Sequence, residues 1–296
     1  MEKKKFGLSS FWLKLIGYLL RTLDHVGRLF IDKGSGVTIP TAYYVLRAIG
    51  KCAFPIFVFF AVEGLYHTKS IKNYLLRLGI FALARDCFGF AFGAIVKLPV
   101  INNPLIGNVF TDLFRGVLAL YLIKRKDWFS LLAALPIAYE FLAGYVVNGT
   151  YGTLFKADWG AFSIVLFLFI YLFREIYSLN LSKKANRANV DTSVLEQATG
   201  ALPRNAFECV GILSAYLLFY LFYRLGFVWN GYYLLPNEFI PIGTYSVLSC
   251  LLLLFYNGKR GPDNKVIRSC FYLYYPIHLV ILGIVSAFVG VLASVI

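Results

Sequence analysis

The stretch Arg21-Thr22-Leu23-Asp24-His25-Val26-Gly27-Arg28 sets four ionisable side chains inside an otherwise apolar run. Ionisable groups in such runs are costly to insert and mark functional positions. On a helix, positions 21, 24, 25 and 28 fall at i, i+3, i+4 and i+7 and share one face, while Phe11, Leu15, Leu19 and Leu20 supply an apolar remainder. The charged face must look into a bundle or a wet cavity. His25 is the natural proton-transfer group, because an imidazole with its ordinary pKa of about 6.5 takes and returns a proton near neutrality. The adjacent Asp24 points about 100° away on a helix and does not orient that imidazole as a triad carboxylate would. Asp86, Asp112 or Glu140 are better placed to do so, with Asp24 pairing to Arg28 or to Arg47. Arg47 and Lys51, four residues apart, make one positive stripe suited to a phosphate or to the oxyanion developing on a thioester; simple pairing with the carboxylates is the other reading.

Depth brings these groups together. At about 1.5 Å per residue, His25 lies about 22 Å along a span that begins near Phe11, in the outer third of a membrane. The same reckoning brings Arg28, Arg47 and Lys51, Arg85 and Asp86, Asp112 and Arg115, and Glu140 to that level, from five helices. A charged layer within hydrocarbon implies helices around a polar cavity. The alternative is a structural ion-pair network holding the bundle together.

The elements that must position these groups follow from composition. Of the 296 residues 59% are hydrophobic, with 18% aromatic, 15% charged and a mean hydropathy of +0.69, well above the roughly 45–50% apolar content of soluble domains. The predicted fold is all-α: a polytopic membrane bundle of nine to ten transmembrane helices. The nine predicted spans are roughly 10–31, 41–66, 73–94, 108–123, 128–147, 159–179, 206–228, 239–257 and 269–296. One set of loops carries 16 Lys and Arg residues and the alternate set only Lys33, Lys97 and Lys156, which predicts a cytoplasmic N terminus and a C terminus outside. The net charge of +14 is thereby explained by topology and is no sign of nucleic-acid binding. Residues 1–296 read as a single domain, with a flexible cytoplasmic linker at about 181–205. The opening Met1-Glu2-Lys3-Lys4-Lys5 mimics a signal peptide, but Lys14, Arg21 and Asp24 interrupt the following run, so a retained first span is expected. The five cysteines have neither CxxC spacing nor a secreted framework and read as buried apolar residues. No metal is expected.

Other candidates lie toward the cytoplasmic side. His67 ends the second span and reads as an interfacial polar residue. His278 opens the last span, with Pro276 as a helix start. Beside it the loop Tyr256-Asn257-Gly258-Lys259-Arg260-Gly261 has glycines that allow close backbone approach and two cations that could hold phosphates, or is an ordinary positive-inside loop. Gly89 and Gly93 form a GxxxG, read as helix packing. Asn148-Gly149-Thr150 matches a glycosylation sequon, relevant only in a eukaryotic secretory pathway. No Walker, GxGxxG, HExxH or GxSxG motif occurs, which excludes the common ATPase, dinucleotide, zinc-protease and serine-hydrolase classes.

Read in order, Leu23-Asp24-His25-Val26-Gly27, Arg47-Ala48-Ile49-Gly50-Lys51-Cys52-Ala53-Phe54-Pro55-Ile56-Phe57, Glu63-Gly64 with His67-Thr68, and Tyr74-Leu75-Leu76-Arg77-Leu78 form one set with Asn108-Val109-Phe110-Thr111, Asp158-Trp159-Gly160-Ala161, Tyr256 to Gly261 and Phe271 to Leu279. This ordered set, covering nearly the whole chain, resembles the TraX family of membrane acetyltransferases, related to the wider group of transmembrane acyltransferases. The resemblance implies acetyl or acyl transfer from acetyl-CoA or another acyl-CoA to an amine or hydroxyl acceptor. It implies catalysis by the Asp24-His25 pair and contact of Asn257, Lys259, Arg260 and His278 with the donor. Substrate or oxyanion binding then falls to Arg28, Arg47, Lys51, Asp86, Asp112, Arg115 and Glu140. Two departures from the family pattern, Lys51 in place of Arg and the Ala84-Arg85-Asp86-Cys87-Phe88 stretch, imply an altered acceptor pocket. The expected partners are the lipid bilayer, acyl-CoA and an acceptor that is either a pilin N terminus or a cell-envelope glycan, with a homodimer allowed; the expected location is the bacterial cytoplasmic (inner) membrane. A transporter or flippase for an anionic substrate, without covalent chemistry, is the first rival reading, and a structural or assembly factor the second.

Overall fold

The computed structural model describes residues 7–30, 41–95, 108–146, 157–225 and 242–295. Among them the fold is all-α, with no strand. The helices are α1 Ser10–Phe30, α2 Thr41–Lys51, α3 Ala53–His67, α4 Ile71–Ile95, α5 Val109–Arg125, α6 Ala134–Val146, α7 Ala161–Ala188, α8 Thr192–Thr199, α9 Leu202–Arg224, α10 Ser249–Leu254 and α11 Lys265–Val295.

The charged helices are inside-out. α1 buries Leu13, Gly17, Arg21, Asp24 and His25 while Trp12, Leu19 and Leu23 face outward. α2 buries Tyr43, Arg47, Gly50 and Lys51 and exposes Tyr44, Val45 and Ile49. α4 buries Leu78, Ala82, Arg85 and Asp86 and exposes Leu76, Ile80 and Leu83. In water this arrangement would leave apolar surface solvated and charge desolvated; in a bilayer the outward face is satisfied by lipid and the inward charges by one another.

Among the described residues four helical stretches are long and apolar enough to cross a membrane: Thr41–His67 (α2 and α3 together), Ala161–Ala188, Leu202–Arg224 and Lys265–Val285. This is fewer than the nine to ten expected from the sequence, for physical reasons. α1 and α4 match expected spans but carry four charges each, Lys14, Arg21, Asp24 and Arg28, and Lys72, Arg77, Arg85 and Asp86. α5 has 17 residues, about 25 Å of helix, with Asp112, Arg115, Lys124 and Arg125 among them. The fifth expected span is a 3-10 turn, Trp128–Ala133, running into α6 with Pro136 in its first turn. The eighth begins as a 3-10 turn, Gly243–Leu248, in which the Ser246 hydroxyl donates to the Gly243 carbonyl, before the six residues of α10. The sequon, Lys33, Lys97 and Lys156 lie outside the described residues.

Residues 181–205, expected as a linker, are largely helical: α7 continues to Ala188, α8 follows, and α9 starts at Leu202. Basic Lys183, Lys184 and Arg187 sit where the α7 dipole favours cations, and Asn189 closes the helix in the left-handed region at φ 53°. The Asp191 carboxylate then accepts from the Ser193 amide (2.7 Å) and hydroxyl (2.6 Å), which starts α8 and holds that carboxyl below the usual range.

The chain folds as two compact units. The first comprises residues up to Phe57, Ala198–Asn205 and Ile240–Ile296; the second comprises Val58–Gln197 and Ala206–Phe239. In the second, α3, α7 and α9 are tied by Arg174, whose Nη1 donates to both Glu63 and Glu208 and whose guanidinium lies 4.0 Å over the Tyr66 ring. Glu63 also meets His67 at 3.1 Å. Glu63→Gln weakens this buried charge-assisted set and is expected to cost about 2 kcal/mol, read as a lower thermal midpoint in detergent; an unchanged midpoint contradicts the assignment.

Candidate functional site

In the first unit α1 and α2 approach with almost no side chain between them. A Cβ at Gly50 would stand 2.4 Å from the Asp24 Cβ and 2.6 Å from its Cα. Only glycine fits there, and the close approach puts the polar face of α2 onto Asp24. Gly50→Ala is expected to cost at least about 2 kcal/mol and to push Arg47 off Asp24, measurable as lost thermal stability together with lost activity; wild-type stability would contradict it.

Asp24 is a shared acceptor. Its Oδ2 takes Arg21 Nη1 at 2.8 Å and its Oδ1 takes Arg47 Nη1 at 2.5 Å, with Lys51 Nζ 3.9 Å from Oδ2. All four side chains are buried. The expected pairing of Asp24 with Arg47 is present; Arg28 is exposed near the end of α1. Arg21, three residues before Asp24, belonged to the charged face in the sequence yet was given no site role.

His25 is 4% exposed, next to this cluster on α1. Its ring faces that of His278, with centroids 5.3 Å apart. The expectation that His278 opens the last span at the cytoplasmic loop is corrected here: α11 begins at Lys265, so His278 lies roughly 20 Å along it. Pro276 stands within the helix rather than at its start. Tyr18, Thr22 and Tyr274, none of them a site candidate in the sequence, join α1 to α11. The Thr22 and Tyr274 hydroxyls are 2.6 Å apart, and the Tyr18 hydroxyl donates to the Phe271 carbonyl at 2.6 Å.

The 256–261 loop is built around the start of α1. The amides of Ser10 and Phe11 donate to the carbonyls of Lys259 and Arg260 (2.9 and 3.1 Å), so the N-terminal donors of α1 meet the chain itself. The Asn257 side chain donates to the Gly7 carbonyl and accepts from the Lys259 amide. Asn205 holds the Tyr256 carbonyl at 2.7 Å. Gly261, at φ 73°, has Ser9 Oγ 2.3 Å from where a Cβ would be. The close approach foreseen for these glycines is made at Gly261 by Ser9 and Phe11, whereas Gly258 faces Ala201. Lys259 and Arg260 are exposed, Arg260 with Asp263 at 3.5 Å.

The remaining expected residues belong to the second unit. Asp112, fully buried, accepts from the amides of Asp158 (2.8 Å) and Trp159 (3.3 Å) just ahead of α7. Asn108 caps α5 through the Phe110 amide and donates to the Ala82 carbonyl and to Asp86 Oδ1. Glu140 accepts from Arg115, whose guanidinium lies 4.3 Å over the Tyr139 ring. Asp86, Asp112 and Glu140, named in the sequence as carboxylates to orient His25, thus each have partners within their own unit. Arg174 and Glu208, buried and not among the sequence candidates, carry the same signal in the sequence, a charge inside an apolar run.

The first unit thus sets a buried imidazole next in sequence to a buried carboxylate that holds Arg21 and Arg47 and has Lys51 close by. Among the described residues no cluster of His, Cys, Asp and Glu is suited to a metal ion. The family model of the TraX protein matches residues 9–286. A probable fimbrial assembly protein, FimC of serogroup H1 from Dichelobacter nodosus, is 27% identical over 283 residues, covering 94% of this chain and 96% of the relative. No solved structure matches the chain.

Proposed function

The chain belongs to the TraX family, and from that premise we propose that it is a multi-pass acyltransferase of the bacterial cytoplasmic membrane. It moves an acetyl or other acyl group from cytoplasmic acyl-CoA to an amine or hydroxyl acceptor at the outer side. The observation that carries this reading is the burial of His25 on the same face of α1 as Asp24 and its clamp of Arg21, Arg47 and Lys51. A base alone would serve many reactions; a base beside several cations suits acyl transfer, in which an oxyanion forms as the acceptor loses its proton.

In this reading His25 removes the acceptor's proton as its nitrogen or oxygen attacks the thioester carbonyl. Arg47 and Lys51 stabilise the oxyanion, and Asp24 holds the cations in place. Covalent transfer through an acyl-imidazole on His25 is the variant for a donor that does not reach the acceptor directly. The name of the Dichelobacter relative concerns fimbrial assembly, so the first acceptor to test is the N-terminal amine of a pilin-like subunit, followed by a hydroxyl of a cell-envelope glycan.

Lys259 and Arg260 are the cations of the 256–261 loop open to donor phosphates. Lys259→Gln with Arg260→Gln is expected to raise KM for acetyl-CoA about tenfold and leave kcat near wild type, as loss of binding remote from the reacting atoms does. An unchanged KM removes the loop from the donor site. The convergence of Arg21 and Arg47 on one carboxylate favours one rival, transport of an anionic substrate without covalent chemistry. Transport predicts that His25→Gln still moves substrate and that no acyl group changes hands.

A further inference from the structure

α1 and α11 meet along a ladder whose partners are 252 or 253 positions apart. Tyr18 stacks on Phe271 with centroids 5.5 Å apart and planes 14° apart, and its hydroxyl reaches the Phe271 carbonyl. Thr22 meets Tyr274 through their hydroxyls, and His25 meets His278 through their rings. On α1 the rungs step by four and then three residues, on α11 by three and then four, so each helix contributes one stripe and the two run parallel. Two rungs of packing and hydrogen bonding thus fix the level at which the imidazoles face each other.

His278 is held in one orientation. Its Nδ1 is 3.0 Å from the Tyr274 carbonyl one turn earlier, and its ring lies against the Tyr274 ring at 5.1 Å and 23°. A carbonyl oxygen only accepts, so the proton of that bond sits on Nδ1. In the neutral ring Nε2 then carries the lone pair. The residue is 7% exposed, so bulk water has little access to its ring.

We propose that His278 is the positioning residue for His25 and the next stop for its proton, an inference that rests on the acyltransferase reading above. In the transfer step the new bond between acceptor nitrogen or oxygen and the acyl carbon forms and the C–S bond breaks. Coenzyme A leaves as the thiolate, and the acceptor's proton passes to His25. That proton then moves to Nε2 of His278, which returns the lone pair of His25. The proton is released to water when product leaves, and cytoplasmic water reprotonates the thiolate, so the sum is acyl donor plus acceptor to acylated acceptor plus thiol.

The test uses the full chain in nanodiscs with acetyl-CoA and the acceptor on which wild type is active. His278→Gln is expected to slow transfer about 10²-fold, within the range of a lost acid-base partner. The rising limb of its pH–rate profile should fall from a two-proton to a one-proton slope. His278→Asn, which keeps a donor for the Tyr274 carbonyl, guards against a folding defect and should be equally slow, while added imidazole should restore part of the rate to His278→Ala. If wild type transfers acetyl and His278→Gln or His278→Asn keeps its rate and profile, His278 is packing only and the inference falls while the acyltransferase reading stands. If wild type transfers no acyl group from acetyl-CoA to any acceptor, both fall together.

Discussion

His25→Ala is expected to reduce acyl transfer by about 10³-fold or more while the protein still inserts and purifies as wild type does. In the proposed reaction the buried imidazole is the proton acceptor, and alanine removes it without touching the Asp24 clamp. The loss should appear in kcat and in kcat/KM alike, because the interaction is made as the acceptor's proton leaves, while donor binding stays with the remote loop. Single-turnover rates in detergent with wild type and variant in parallel give the comparison. Normal turnover in the variant would remove the general-base proposal and the acyl-imidazole variant together.

Asp24→Ala is expected to lower stability by about 3–5 kcal/mol, since it deletes the carboxylate shared by Arg21, Arg47 and Lys51 in a site where water does not replace it. Thermal unfolding in detergent reports this as a lower midpoint. A second variant separates charge from packing. Asp24→Leu combined with Arg47→Met replaces an ion pair by apolar groups of similar size, and such exchanges are often near neutral. The double variant should therefore recover the part of the stability that Arg47 accounts for, with Arg21 and Lys51 still lacking the carboxylate, and remain inactive. A stable single variant would mean that the clamp contributes nothing to the fold; an active double variant would mean that it contributes nothing to catalysis.

The helical fold was legible wherever one kind of periodicity ran long enough. The apolar blocks that became α3, α7, α9 and α11 stand out in composition, and the four-charge face of α1 is visible as i, i+3, i+4 and i+7 spacing. The number of spans was less legible, because apolar content does not distinguish a spanning helix from a 3-10 turn run into a short one, as at Trp128–Val146 and Gly243–Leu254. The polar composition of 181–205 suggested a linker, whereas local capping by Asn189 and Asp191 makes helices of it.

At the candidate site, Asp24 with Arg47 could be anticipated from charge alone. The meeting of His25 with His278 could not, since the two are 253 positions apart and nothing local marks the offset between α1 and α11. The same holds for Asp112, which as a bare carboxylate in an apolar run looks like a substrate ligand. Only the fold brings the amides of Asp158 and Trp159 to it.

Transfer of radiolabelled acetyl from acetyl-CoA by the purified chain in nanodiscs, with wild type and His25→Ala side by side, tests the central claim most directly. The account predicts that label accumulates on the protein or on an acceptor supplied with it, and that this accumulation is lost with His25. Acetyl-CoA that neither binds to wild type nor is turned over by it would contradict the account and leave the buried cations of α1 and α2 as a site for a transported anion.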